Sequence, residues 1–329
     1  MNEIYPLIFV FLMALAMLIY VVLDGYDLGV GILLRRASDA HKDEMIASIG
    51  PFWDANETWL VLGVGILLVA FPVAHGVILG GLYLPVAFML IGLILRGVAF
   101  DFRVKAHAAH KPRWNFAFYA GSVLAAFSQG FMLGIYILGF DYSAASISFA
   151  IFIGLSLLAG YALLGATWLI LKSENALYGR AQVWARGSLW LTGLGIVAVS
   201  LATPLVSSRI FDKWFSMPNM LLLSPIPVLT AVLFFVCDRS LKRLIAGQPA
   251  RIWVPFACAV GLFVLAFLGL AYSLFPYLVV DRITYVQAAT ATASLKVMLI
   301  GVAITLPAIL AYTAYSYRVF WGKTRELTY

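Results

Sequence analysis

The stretch IYPLIFVFLMALAMLIYVVLDGYDLGVGILL, residues 4–34, decides the class of fold. A helix of about 31 residues, rising 1.5 Å per residue, is about 46 Å long, whereas the hydrocarbon core of a bilayer is roughly 30 Å thick. The last two turns, with Asp24 and Asp27, are therefore expected at the far membrane interface. We predict a transmembrane helix that has two acidic residues near its C-terminal end.

The rest of the chain has the same apolar character. Of its 329 residues, 63% are hydrophobic and 11% are charged, against about 45–50% and about 25% in soluble globular proteins. The apolar runs are continuous rather than alternating, which excludes a membrane β-barrel as well as a soluble fold. We predict an all-α membrane protein with nine spans, at residues 4–34, 50–71, 76–98, 115–140, 146–171, 187–207, 219–236, 253–275 and 293–317.

The Lys and Arg residues predict the orientation, because cytoplasmic loops of membrane proteins are enriched in them. One set of loops and ends contains 17 of these residues: Arg35, Arg36, Lys42, Arg103, Lys105, Lys111, Arg113, Lys172, Arg180, Arg186, Arg239, Lys242, Arg243, Arg251, Arg318, Lys323 and Arg325. The opposite set contains four: Arg209, Lys213, Arg282 and Lys296. The N-terminus is therefore expected outside and the C-terminus in the cytoplasm. This asymmetry also explains the net charge of +7, so no nucleic-acid partner is expected.

A second pair of acids lies at the start of the second span, in GPFWDANETWLVL at residues 50–62. Asp54 and Glu57 are spaced i, i+3, as are Asp24 and Asp27, so each pair shares one helix face. The topology brings both pairs to the cytoplasmic end of the first helices. Because an ionisable residue in a membrane segment is costly, these four acids indicate a functional site. Trp53 precedes Asp54, where its ring could limit access of water or simply pack in the interface.

Basic and acidic residues also end the third span, in LRGVAFDFR at residues 95–103. We expect a structural ion pair within the set Arg96, Asp101 and Arg103, with Arg96 paired to an acid at its own depth and Arg103 in an exposed loop. A purely structural role for the acids is an alternative, since Asp54 in a first helical turn interacts favourably with the helix dipole. One arginine cannot neutralise four acids, however, and this imbalance favours a proton relay.

Four motifs together resemble subunit II of the cytochrome bd family of quinol oxidases, which includes cyanide-insensitive forms. They are DGYDLGVG at 24–31, GPFWDANETWLVL at 50–62, LRGVAFDFR at 95–103 and YALLGATWLILK at 161–172. The resemblance extends to chain length, nine-span topology and motif order. It implies a single membrane domain, 1–329, made of two four-helix bundles and a peripheral helix, with expected bounds 1–140, 146–275 and 293–317.

The resemblance also implies a function. The chain would be the non-haem subunit of a quinol:oxygen oxidoreductase in a bacterial inner membrane, stabilising the haem-bearing subunit I and forming part of its cytoplasmic proton pathway. The proton-pathway acid of the family corresponds to Asp54, and its DG-[FY]-D acids correspond to Asp24 and Asp27. Glu57 occupies a position that varies between acid and amide, and the family's arginine corresponds to Arg96. Haem b, haem d and quinol oxidation are expected in subunit I, and small single-span accessory subunits are further expected partners.

The positions of the histidines agree with the expectation that the haems lie in subunit I. His41, His75, His107 and His110 all fall in loops or at a span edge, so the chain offers no buried bis-His haem site. No metal site is expected, whereas a structural quinone or a lipid is compatible with the chain. The alternative function is a stand-alone proton-coupled transporter, which should have polar groups near the midplane in broken helices of both halves.

Overall fold

The computed structural model describes residues 3–107 and 109–324. Over this part of the chain, nine helices are long and apolar enough to cross a membrane, as predicted. The helices are α1 (Ile4–Leu33), α2 (Asp39–Ile49), α3 (Trp53–Ala70), α4 (Pro72–Gly81), α5 (Tyr83–Lys105), α6 (Lys111–Ile137), α7 (Ala144–Lys172), α8 (Asn175–Val206), α9 (Ser208–Phe215), α10 (Asn219–Leu223), α11 (Pro225–Ile245), α12 (Val254–Leu274), α13 (Tyr285–Ala288) and α14 (Thr292–Val319). A short antiparallel hairpin, β1 (Tyr277–Val279) and β2 (Ile283–Thr284), precedes α13.

We call the side of the molecule that carries the Lys- and Arg-rich loops the basic side. It includes the C-terminal ends of α1 and α5 and the N-terminal ends of α3 and α6. Of the residues that define the charge asymmetry, Arg325 lies outside the described residues. At the end of α1 the backbone continues as a 3-10 helix, Leu34–Arg36, and α2 follows as a short surface helix. The first span therefore has nearly its predicted bounds.

The third span was predicted incorrectly. The apolar run at 76–98 is divided between α4 and α5, which are separated by Leu82 in a non-helical conformation (φ −110°, ψ 18°). Pro72 is the first residue of α4. Its missing N–H costs no helical hydrogen bond there, because no carbonyl of the same helix precedes it. Hydropathy cannot detect such a break, since both helices are apolar. At its other end α5 continues past residue 98 to Lys105, so Arg96, Asp101 and Arg103 all lie within the helix.

Two spans in the second half also differ from their predicted bounds. The sixth was expected to begin at residue 187, but α8 begins at Asn175, because its polar first turns extend the helix beyond the apolar run. The seventh was expected at 219–236. It begins as the short α10 and continues from Pro225 as α11, which extends to Ile245. The prolines Pro225 and Pro227 lie in the first turn of α11, a position at which proline is tolerated.

The N-terminal helix lies at the centre of the packing, in contact with α3, α6, α7 and α12. At its closest approach to α7, a Cβ atom placed on Gly29 would lie 1.8 Å from the Tyr161 carbonyl oxygen, and one on Gly165 would lie 2.3 Å from the carbonyl carbon of Gly29. Glycine at both positions lets the two backbones meet. The last span, α14, buries only Leu295 and Ser316 within this chain. The division at 1–140, 146–275 and 293–317 stays a prediction.

Candidate functional site

Three helices bring an arginine and two acids together near the basic side. Arg96 of α5 extends its Nη2 atom to within 2.7 Å of Asp24 Oδ1 on α1 and 3.3 Å of Glu57 Oε2 on α3. Arg96 and Asp24 are buried, at 1% and 0% exposure, whereas the Glu57 side chain is 28% exposed. The geometry of the Asp24 contact is that of a charge contact rather than an aligned hydrogen bond, because both Asp24 oxygens lack a hydrogen-bond partner among the described residues.

A second branch of the polar cluster begins at Asp27, which is completely buried. Its Oδ2 atom accepts a hydrogen bond from Asn56 Nδ2 at 2.8 Å, and its Oδ1 atom has no hydrogen-bond partner in the described chain. Asn56 Nδ2 also donates to the Tyr26 hydroxyl at 2.7 Å, and Tyr317 of α14 donates to Asn56 Oδ1 at 3.2 Å. The two hydroxyls lie 2.6 Å apart. The last span thus contributes directly to this branch.

Asp54 lies at the outer edge of the cluster. It is exposed in the first turn of α3, one turn before Glu57 on the same helix face. The neighbouring Trp53 is half-buried, and its ring lies 4.9 Å from that of Phe100 and 5.8 Å from the Arg96 guanidinium carbon. The Trp53 ring therefore covers one side of the Arg96 guanidinium, while the Asp54 side chain is exposed.

The predicted ion-pairing residues were Arg96, Asp101 and Arg103, and this prediction was wrong in two respects. Asp101 is exposed on α5 and forms no ion pair among the described residues. Arg103, expected in an exposed loop, is 4% exposed. It donates to Asp43 Oδ1 of α2 at 2.6 Å and to Asn115 Oδ1 of α6 at 2.5 Å. The physical reason is the extension of α5 by two turns, which turns Arg103 toward α2 and α6.

A separate chain of hydrogen-bonded polar side chains lies in the core between α1, α6 and α7. Tyr20 lies one turn before Asp24 on the same face of α1. Its hydroxyl accepts from Gln129 Nε2 of α6 at 2.7 Å, and Gln129 Oε1 accepts from the Tyr161 hydroxyl of α7 at 2.6 Å. Tyr20 is 2% exposed and Tyr161 is 0% exposed, so the polar groups satisfy one another inside the bundle.

The end of α14 and the residues that follow it pack against Phe52 and against the C-terminal end of α7. Phe52 stacks on Tyr317 with ring centroids 4.6 Å apart, and Lys172 donates from Nζ to the Phe320 carbonyl oxygen at 2.7 Å. Lys323 donates to the Ser173 carbonyl oxygen at 2.9 Å. Burial lowers the pKa of Lys323 from its usual range. Asp27 is completely buried, whereas Glu57 is half-buried and Asp54 is exposed.

Sequence patterns did not identify several members of the cluster. Asn56 lies between Asp54 and Glu57 in the same motif, but it points toward α1 because each helical residue turns the side chain by about 100°. Tyr317 is 261 residues away from Asn56, and no local signal connects the two. Tyr20, Gln129 and Tyr161 are ordinary residues of apolar spans, so only the packing of α1, α6 and α7 identifies them.

The residues of the described chain do not fit a haem between two histidines. His107 and His110 are exposed, and His41 and His75 are half-buried, on α2 and α4. In the described residues, moreover, no group of three or more His, Cys, Asp or Glu side chains has the geometry of a metal site.

Residues 5–320 match the family described as cytochrome bd terminal oxidase subunit II. The chain is 30% identical over 319 residues to the cytochrome bd ubiquinol oxidase subunit 2 of Bacillus subtilis, covering 91% of this chain and 90% of that one. It is 26% identical to the cytochrome bd-I ubiquinol oxidase subunit 2 of Escherichia coli, covering 98% and 96%. Its fold is similar to a chain in the structure of bd oxidase from Geobacillus thermodenitrificans, with a TM-score of 0.80, 17% identity and coverage of 96% and 98%.

Proposed function

This chain belongs to the cytochrome bd terminal oxidase subunit II family, and from that membership we propose that it forms part of the proton pathway of a quinol:oxygen oxidoreductase. It is a multi-pass protein of the inner membrane. In the complex it pairs with subunit I, which holds haem b and haem d and oxidises quinol. This assignment replaces the alternative of a stand-alone transporter.

We place the basic side of the molecule in the cytoplasm, because Lys and Arg accumulate in cytoplasmic loops. Reduction of oxygen to water consumes protons, and the acidic cluster is then at the side from which cytoplasmic protons arrive. Its groups form a graded series: Asp54 is exposed, Glu57 is half-buried and Asp24 is buried. This series is the observation on which the proposal depends.

The charges of the cluster support proton binding. Within it one guanidinium faces three carboxyl groups, those of Asp24, Asp27 and Glu57, and only Asp24 and Glu57 contact it. Uncompensated negative charge in a low-dielectric setting is costly, and a bound proton removes that cost. A proton taken up at Asp54 would pass to Glu57 and then move between carboxyls on either side of Arg96. Subunit I would receive the proton from the carboxyl groups beside Arg96.

Assembly is the second part of the proposed role. The exposed apolar surfaces of the spans must be covered by lipid or by protein, and a heterodimer with subunit I covers part of them. Small single-span subunits and a structural quinone remain further proposals for the same surfaces.

Asp54→Asn tests the proton pathway directly. The amide keeps the size and hydrogen-bonding capacity of the side chain but cannot bind and release a proton. We expect an assembled, haem-replete oxidase in which quinol-driven oxygen consumption falls at least about tenfold, since a positioned proton-transfer group typically contributes more than this. Glu57→Gln should have a milder effect, because the family resemblance implies that this position varies between an acid and an amide.

The matched control is Asp39→Asn, which removes an exposed carboxylate from the first turn of another helix on the same side. Turnover should be unchanged in this variant. Full turnover of Asp54→Asn across a range of pH would show that Asp54 is only a helix-terminal residue and that protons take another route.

A further inference from the structure

A cavity of about 530 Å³ opens at the basic ends of α5 and α6. Its volume lies within the range of small-molecule sites, about 300–1,000 Å³. Four side chains that can bear positive charge line it: Lys105 and His107 at the end of α5 and just after it, and His110 and Arg113 at the start of α6. Phe102 and Trp114 form its apolar wall, with ring centroids 5.3 Å apart and nearly parallel planes.

The charge in this cavity is not balanced by acids. None of the described residues that line it is acidic. Of the nearby carboxylates, Asp43 is engaged by Arg103 at 2.6 Å and by Lys111 at 3.7 Å. Asp101 lies one turn before Lys105 on α5 but does not line the cavity. The cavity therefore presents cations and imidazoles to an anion from outside the chain.

The apolar wall indicates which anion fits. Phe102 is the last member of an exposed stripe along α5 that also contains Ile91, Ile94 and Val98, at i, i+3 and i+4 spacings. This stripe faces outward along the half of α5 nearest the basic side, so the cavity is continuous with an apolar surface that runs from the end of α5 toward its middle. A free phosphate would use only the cationic part, whereas a phospholipid would use both.

We propose that this cavity binds an anionic phospholipid, with its phosphate between Lys105 and Arg113 and its acyl chains along the α5 stripe. Phe102 and Trp114 contact the glycerol region, the level at which aromatic residues are enriched. A lipid in this position joins the ends of α5 and α6, next to the Arg103–Asn115 hydrogen bond that also joins them. The site differs from the acidic cluster in charge and in residues.

The test uses the purified two-subunit oxidase, stripped of lipid in detergent and titrated with phosphatidylglycerol or phosphatidylcholine. Native mass spectrometry would count the lipids retained. We expect one phosphatidylglycerol to bind to wild type roughly thirtyfold more tightly than to the Lys105→Ala/Arg113→Ala double variant at low salt, because each basic residue near an anionic headgroup adds to affinity. The affinity for phosphatidylcholine should be the same in the two proteins. An unchanged haem spectrum would show that the variant is assembled.

Arg239→Ala/Arg251→Ala is the matched control, because it removes the same charge from exposed positions on the same side. It should bind phosphatidylglycerol as wild type does. Equal loss in both double variants, or no preference for the anionic lipid, would overturn the proposal. So would displacement of the lipid by inorganic phosphate beyond the effect of chloride at equal ionic strength, since the site would then bind a free anion.

Discussion

At the scale of residues, Arg96 determines how the buried acids coexist. It is the one basic side chain that contacts Asp24 and Glu57 in the described chain, and it is itself 1% exposed. Two of its nitrogens, Nε and Nη1, have no hydrogen-bond partner among the described residues. Loss of the guanidinium would therefore leave Asp24 as an unpaired charge in the core, while loss of either acid leaves the arginine one remaining partner.

We predict that Arg96→Ala strongly reduces the amount of assembled oxidase. Removing one partner of a buried ion pair costs roughly 3–5 kcal/mol, because the other charge remains buried without compensation. The measurement is the yield of haem-containing complex from equal amounts of membrane. Arg180→Ala, at an exposed position of α8, should give the wild-type yield.

A second substitution separates charge from packing. Arg96→Ala combined with Asp24→Asn removes the orphaned carboxylate, so it should recover part of the yield lost in the single variant. Equal yields for Arg96→Ala and Arg180→Ala would contradict the view that Arg96 compensates buried charge.

At the scale of elements, the contact between α1 and α7 depends on two glycines. α1 holds Asp24 and Asp27, and α7 holds Tyr161, so the distance between these helices positions both polar branches. The Cβ of an alanine at Gly29 would lie 1.8 Å from the Tyr161 carbonyl oxygen and 2.8 Å from Gly165 N. Both contacts are with backbone atoms, which cannot move away as a flexible side chain can.

We therefore predict that Gly29→Ala forces α1 and α7 apart and lowers the thermal midpoint of the complex, with loss of turnover as the cluster is displaced. The control is Gly187→Ala on α8, where a Cβ meets no atom within 4 Å. A midpoint for Gly29→Ala equal to that of the control would show that the helices are not in contact at this position.

At the scale of the whole molecule, this chain supplies protonatable groups but no pair of buried histidines. Its exposed or half-buried histidines cannot provide two axial ligands within the membrane. We propose that the haems, and with them the redox chemistry of the oxidase, belong to subunit I.

We predict that the chain expressed without subunit I binds no stoichiometric haem. Absorbance spectra of the purified chain, compared with those of the two-subunit complex from the same host, test this. A haem absorbance in the isolated chain that disappears on substitution of one of its own residues would refute the division of roles.

Hydropathy and the cost of charge in a membrane are local properties of a chain, and they were sufficient to predict the class of fold and the number of spans and to single out the four acids as candidates. The sequence also predicted that Arg96 pairs with an acid at its depth. It could not predict the bounds of the third span, since the non-helical Leu82 interrupts a uniformly apolar run without any change in hydropathy.

Which polar groups meet depends on how the helices pack, and this was not predictable from the chain. The partners of Arg103, the hydrogen bond from Tyr317 to Asn56 and the Tyr20–Gln129–Tyr161 chain each join residues of different helices. Such contacts depend on the rotation and distance of packed helices, which are set by close approaches like that of Gly29 and Gly165. No periodicity within one segment encodes them, because a helix fixes its own faces but not the neighbour that each face meets.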